Sequence, residues 1–67
     1  MIELQVNGEA RSLPDGTTIA ELLAEMGLAT EGVAVAVDRQ VIPRSKHAET
    51  RLEAGAQVEV LRAVGGG

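Results

Sequence analysis

The sequence predicts an α+β domain in which one short helix lies across one face of a mixed sheet of four to five strands. Three observations point there. Ile2, Leu4 and Val6 near the start, and Val58 and Val60 near the end, alternate with polar residues at the two-residue period of half-buried strands. A single segment carries a helical stripe, Ile19, Leu22, Leu23 and Met26. Turn signals divide the rest into short pieces on either side of that helix, giving the order ββαββ plus a final strand.

Each element has a local cause. The first strand, Ile2 to Val6, meets Asn7-Gly8, a pair suited to the two positive-φ positions of a type I′ turn, so Ala10 to Leu13 returns antiparallel. Pro14-Asp15-Gly16 breaks that strand. Thr18 and Glu21 then form a capping box, in which each side chain satisfies the other residue's backbone N–H. The apolar stripe runs at i, i+3, i+4 and i+7, and Gly27 is placed to end the helix at positive φ. A helix of two to three turns is marginal in water, so its stripe must lie on the sheet.

Val33-Ala34-Val35-Ala36-Val37 is apolar on both alternate sets, which suits a strand with valines under the helix and small alanines opposite. Asp38-Arg39 offers a turn, and Gln40-Val41-Ile42 pairs back until Pro43, which has no N–H for a ladder. Residues 44–52 read as irregular, with Leu52 tucked into the core. Ala54-Gly55-Ala56 turns the chain into the last strand, where Val58 and Val60 point inward and Leu61 therefore points out of the sheet. The expected division is a domain over residues 1–62 and a tail over 63–67, with no repeat or second domain.

Composition excludes several function classes. At 67 residues the chain buries only about 60% of its unfolded surface, which leaves little room for a deep cleft with supporting layers. No Cys is present, which removes disulfides, thiolate nucleophiles and zinc-thiolate or iron-sulfur ligation. The core must be aliphatic, because Phe, Tyr and Trp are absent, and with them the stacking platforms of single-strand nucleic-acid binders. A net charge of −4 repels nucleic acid and anionic lipid and favours a partner with a basic docking face. No apolar run approaches membrane-spanning length, and Met1-Ile2-Glu3-Leu4 lacks a signal-peptide pattern, so the expected compartment is the cytoplasm.

The ending, Gly65-Gly66-Gly67 after the strand Val58 to Arg62, is where chemistry is expected. Residues without a Cβ make a chain thin enough to thread a narrow channel. From Ala63 to Gly67 an extended chain spans roughly 17 Å, which carries a terminal carboxylate well beyond the domain edge. The plainer reading is an idle, frayed terminus.

Over nearly its whole length the chain resembles the ThiS family of thiamine-biosynthesis sulfur carriers, which have the ubiquitin-like β-grasp fold. The resemblance is carried by Val6-Asn7-Gly8-Glu9, the Thr-rich helix start before Leu22-Leu23, Val35-Ala36-Val37-Asp38 followed by Val41-Ile42-Pro43-Arg44, and Val64-Gly65-Gly66-Gly67. One departure lies at the last turn, where Ala54 and Ala56 flank Gly55 in place of the family's usual acidic residues. The resemblance implies that strands one and five lie side by side and parallel. It also implies a function: a ThiF-like, E1-like adenylyltransferase activates the Gly67 carboxylate as an acyl-adenylate, using its own ATP and Mg²⁺. A sulfur donor such as a cysteine desulfurase then leaves a thiocarboxylate, and a ThiG-like thiazole synthase takes the sulfur. On that reading Gly65 and Gly66 thread the partner's active site, Leu61 and Val64 are candidate partner contacts, no cofactor or metal is bound, and the chain is a co-substrate rather than an enzyme. A related carrier for molybdopterin or tRNA thiolation, a ubiquitin-like modifier, and a passive module with an idle tail stay open beside it.

For the other candidates the plain reading is preferred. His47 stands alone in a polar segment without a second imidazole or a thiol, so it is given no metal or acid-base role. Arg44, Lys46 and Arg51 suit a solvated loop, and Glu21, Glu25 and Glu31 a solvated helix face and loop.

Overall fold

Four strand pairings make the sheet, two of them hairpins and two joining strands far apart in sequence. The computed structural model describes residues 1–28 and 32–62. In chain order the elements are β1 (Ile2–Val6), β2 (Glu9–Leu13), α1 (Ile19–Glu25), β3 (Val33–Val37), β4 (Gln40–Ile42), a 3₁₀ turn at Arg44–Lys46, and β5 (Gln57–Arg62). The sheet order is β2-β1-β5-β3-β4, with β1 and β5 parallel and the other neighbours antiparallel. The last strand thus lies at the centre, next to the first, as the family resemblance implies.

Both hairpins turn through two residues at positive φ. Asn7 (53°) and Gly8 (82°) join β1 to β2, and Asp38 (49°) and Arg39 (70°) join β3 to β4. These are the signs that a type I′ connection needs, and its twist matches the flanking strands. The second pair holds this geometry without glycine.

Both helix ends are capped. At the start, the Thr18 hydroxyl accepts from Glu21 N–H at 3.2 Å, and Glu21 Oε1 accepts from Thr18 N–H at 2.9 Å, which is the expected capping box. The N–H groups of Ile19 and Ala20, which no residue within the helix can serve, donate to the carbonyls of Thr50 (3.0 Å) and His47 (3.1 Å). At the other end Gly27, at φ 76°, donates to Ala24 O, and Leu28 donates to Leu23 O. This is a Schellman closure, with Leu28 half-buried against the core.

One face of α1 buries Ile19, Leu22 and Leu23 completely against Leu4, Val6, Leu13, Val35, Val58 and Val60 of the sheet. Each such side chain contributes about 2 kcal/mol by leaving water, and this holds a helix of seven residues that would not persist alone. Leu52 closes the core from the loop, as expected.

Two readings are corrected. Residues 44–52 are not simply irregular: besides the 3₁₀ turn, Arg51 forms an antiparallel bridge with Thr18, and Leu52 N–H donates to Thr17 O at 2.8 Å. His47, placed by sequence in a polar segment, is 1% exposed. Its Nε2 lies 3.0 Å from the Ile42 carbonyl, and since a carbonyl only accepts, that nitrogen carries the hydrogen. Nδ1 is buried without a partner. The final turn also differs from a plain loop. Ala56 is itself core, and Gly55 N–H donates to Glu3 O at 2.7 Å.

Candidate functional site

The alternation along β5 decides what surrounds the end of the sheet. Val58 and Val60 point under the helix, and Gln57, Glu59 and Leu61 point to the opposite face. Leu61 is 67% exposed, as the inward placement of its neighbours requires. In the register Ala34 lies opposite Leu61, and Ala36 lies between Glu59 and Val41, which is 76% exposed. The outer face next to the chain's exit at Arg62 therefore carries Leu61, Ala34, Ala36 and Val41 with Glu59 beside them, an apolar patch that water covers at a cost. Toward β1 the same face turns polar, with Glu3 and Gln5 exposed.

Two open grooves flank β5. One, of about 390 Å³, is lined by Gln5, Asn7, Gly8, Gln57, Val58 and Glu59. The other, of about 380 Å³, is lined by Asn7, Met26, Leu28, Val60 and Arg62 and lies at the strand's end on the helix side. Neither brings together a nucleophile and a base, and among the described residues no cluster of His, Asp or Glu could hold a metal ion. Arg44, Lys46 and Arg51 are all exposed, and Lys46 reaches Glu49 at 3.7 Å, a solvated pair of small consequence. Glu25 is exposed, and Glu21 is engaged in the capping box. No helix among the described residues is long and apolar enough to cross a membrane.

The remaining candidates, Val64, Gly65, Gly66 and Gly67, together with Glu31, lie outside the described residues. What the fold places is the strand that leads to the glycines: β5 is the central strand, hydrogen-bonded on both sides and reaching Arg62.

The model of the ThiS family matches residues 4–67. The chain belongs to the ThiS family. Among solved structures, the ThiS fold here is similar to the crystal structure of a thiamine biosynthesis protein (ThiS) from Geobacter metallireducens, with a TM-score of 0.83 and 30% identity over 98% of this chain and 100% of that one. The β-grasp architecture expected from the sequence is therefore the one observed. Over 66 residues the chain is also 27% identical to the sulfur carrier protein ThiS of Escherichia coli K12, covering 98% of this chain and all of that protein. It is 32% identical to a thiazole synthase of Paramagnetospirillum magneticum over the same share of this chain, but spans only 20% of that relative's length.

Leu61 faces outward, as the alternation of the sequence predicts. The part that Asn7 plays beyond its turn is not predicted, because the groups that its side chain meets lie 53 positions away. The one local signal is an amide-bearing residue where glycine would also have served.

Proposed function

We propose that this chain is a sulfur carrier for thiazole formation in thiamine biosynthesis, and that its reacting group is the carboxylate of Gly67. The observation that carries this reading is the match over the full length of a sulfur carrier protein, running through the glycines. The thiazole synthase whose sequence includes a ThiS-like stretch favours thiazole formation over molybdopterin or tRNA thiolation, because joining two modules in one chain raises the effective concentration of partners that act in sequence.

The chemistry follows from the group. An α-carboxyl with a reference pKa near 3.5 is ionised at neutral pH. One of its oxygens attacks the α-phosphorus of ATP once an E1-like, ThiF-like enzyme supplies Mg²⁺ and positive charge, and pyrophosphate leaves. The terminal sulfur of a persulfide, formed by a donor such as a cysteine desulfurase, then attacks the acyl carbon with AMP departing. A thiol reduces the resulting acyl disulfide, leaving as a disulfide with the donor's sulfur and freeing the thiocarboxylate that delivers sulfur to a ThiG-like thiazole synthase. The chain contributes no catalytic side chain to these steps. With no Cys in the sequence, no internal thiol competes for the activated acyl group. Leu61, with Ala34 and Val41, supplies the apolar contact for the E1-like partner, beside the strand that leads to Gly67.

Intact-mass measurement after incubation with the adenylyltransferase, ATP, Mg²⁺ and a sulfur donor tests the reading. The expected product has one oxygen replaced by sulfur at Gly67, and a chain lacking Gly67 gives none. Thiolation that persists without Gly67 would overturn it.

A further inference from the structure

The parallel ladder between β1 and β5 ends one rung early, and a side chain completes it. In such a ladder a residue of one strand donates its N–H to the other and accepts at its own carbonyl two residues further along. Gln5 N–H donates to Ala56 O at 3.0 Å, and Asn7 N–H donates to Val58 O at 2.8 Å. The next rung would pair the Asn7 carbonyl and the N–H of residue 9 with the two backbone groups of Val60. The positive φ at Asn7 and Gly8 has by then turned the chain away into β2. The side-chain amide of Asn7 takes their place: Oδ1 accepts from Val60 N–H at 2.8 Å, and Nδ2 donates to Val60 O at 3.3 Å.

At the other end of β5 a second turn residue acts similarly. Asp38 donates its N–H to Gln57 O at 2.8 Å and accepts from Gln57 N–H through Oδ1 at 3.0 Å. The central strand is thus bracketed by two hairpin residues at positive φ. Past Val60, the partners of β5 in the sheet are Ala34 and Val33 of β3, on one side alone. The groove lined by Asn7, Met26, Leu28, Val60 and Arg62 leaves space on the other side into which an unclamped strand could swing.

We propose that Asn7 is a positioning residue for the carrier's reacting end, acting through Val60 to fix the direction in which β5 leaves the sheet. The inference rests on the proposed function, because direction matters only if a distant enzyme must receive that end. The turn alone does not require an amide, since glycine is also accepted at its first position. The amide is needed at Val60. A strand held from both sides delivers its C-terminal extension into a narrow cone, and orientation of a reacting group is worth large factors in rate.

Asn7→Gly separates the two roles, because it keeps the turn and deletes both bonds to Val60. Asn7→Asp keeps the acceptor and sets a second oxygen against the Val60 carbonyl. Amide hydrogen exchange followed by NMR should show Val60 N–H exchanging about tenfold faster in Asn7→Gly, with Val58 N–H, inside the ladder, unchanged. Pyrophosphate release with the E1-like adenylyltransferase of the same organism should show kcat lowered by about tenfold and KM nearly constant, with Asn7→Asp also impaired. Thr18→Ala, destabilised but remote from β5, should retain kcat when folded. Unchanged Val60 exchange, or an equal kcat loss in Thr18→Ala, overturns the proposal. A wild-type chain that is never adenylylated overturns the carrier reading instead, while the Val60 amide still decides whether the clamp exists.

Discussion

Replacing His47 by Ala should be among the most damaging changes available outside the aliphatic core. The ring is 1% exposed, and the Ile42 carbonyl accepts from its Nε2 at 3.0 Å. Its own backbone carbonyl receives Ala20 N–H from the first turn of α1. Truncation to Ala opens a void where the imidazole packs, at a cost of about 2 kcal/mol or more. It also removes the donor from Ile42, about 1 kcal/mol further. Losing Nδ1, a buried acceptor with no partner, returns about 1 kcal/mol. The balance is a loss of about 2–3 kcal/mol. For a domain of this size each kcal/mol moves Tm by about 4–8 °C, so a fall of about 10–20 °C is expected. Far-UV circular dichroism or calorimetry is the assay, since a chain without Trp or Tyr has no useful intrinsic fluorescence. His47→Leu, which fills the volume and removes the orphaned nitrogen, should cost only about 1 kcal/mol. A fall of less than about 4 °C for Ala, or Leu proving worse than Ala, would refute the view that the ring acts chiefly by filling space and serving Ile42.

Leu61→Asp should leave Tm within a few degrees, because the side chain is 67% exposed, and should weaken binding of the E1-like partner by about tenfold or more, the worth of one buried leucine. Calorimetric titration decides it, and undiminished affinity would remove Leu61 from the interface. Thr18→Ala removes the hydroxyl that accepts from Glu21 N–H, leaves the backbone N–H of residue 18 bonded to Glu21, and should cost about 1 kcal/mol, read as a lower midpoint in urea with an unchanged slope.

How much of this molecule was legible in the sequence depended on distance along the chain. Alternation in Ile2–Val6, the turn at Asn7-Gly8, the pairing of Thr18 with Glu21 and the glycine end of α1 are all decided within four residues or so, and each stands where the pattern put it. The outward aim of Leu61 followed from Val58 and Val60 by simple parity. Strand order did not follow: the parallel placement of β5 against β1 came from family resemblance alone, because no local pattern encodes which strand a strand meets. The burial of His47 was hidden for a related reason. Polar neighbours such as Arg44, Lys46 and Glu49 gave the segment a solvated look, while the carbonyls of His47 and Thr50 were committed to the N–H groups of Ala20 and Ile19 across the fold. Ala56 passed as a turn residue because alanine is small enough to belong in either place.

The position of β5 has one more consequence. In chain order β5 follows both hairpins that it joins, so a copy cut short before it has two hairpins and no strand between them. Its helix has nothing complete to rest upon, and such a fragment remains open to proteases. Folding therefore acts as an inspection for completeness: a copy truncated before Gln57 cannot assemble the sheet.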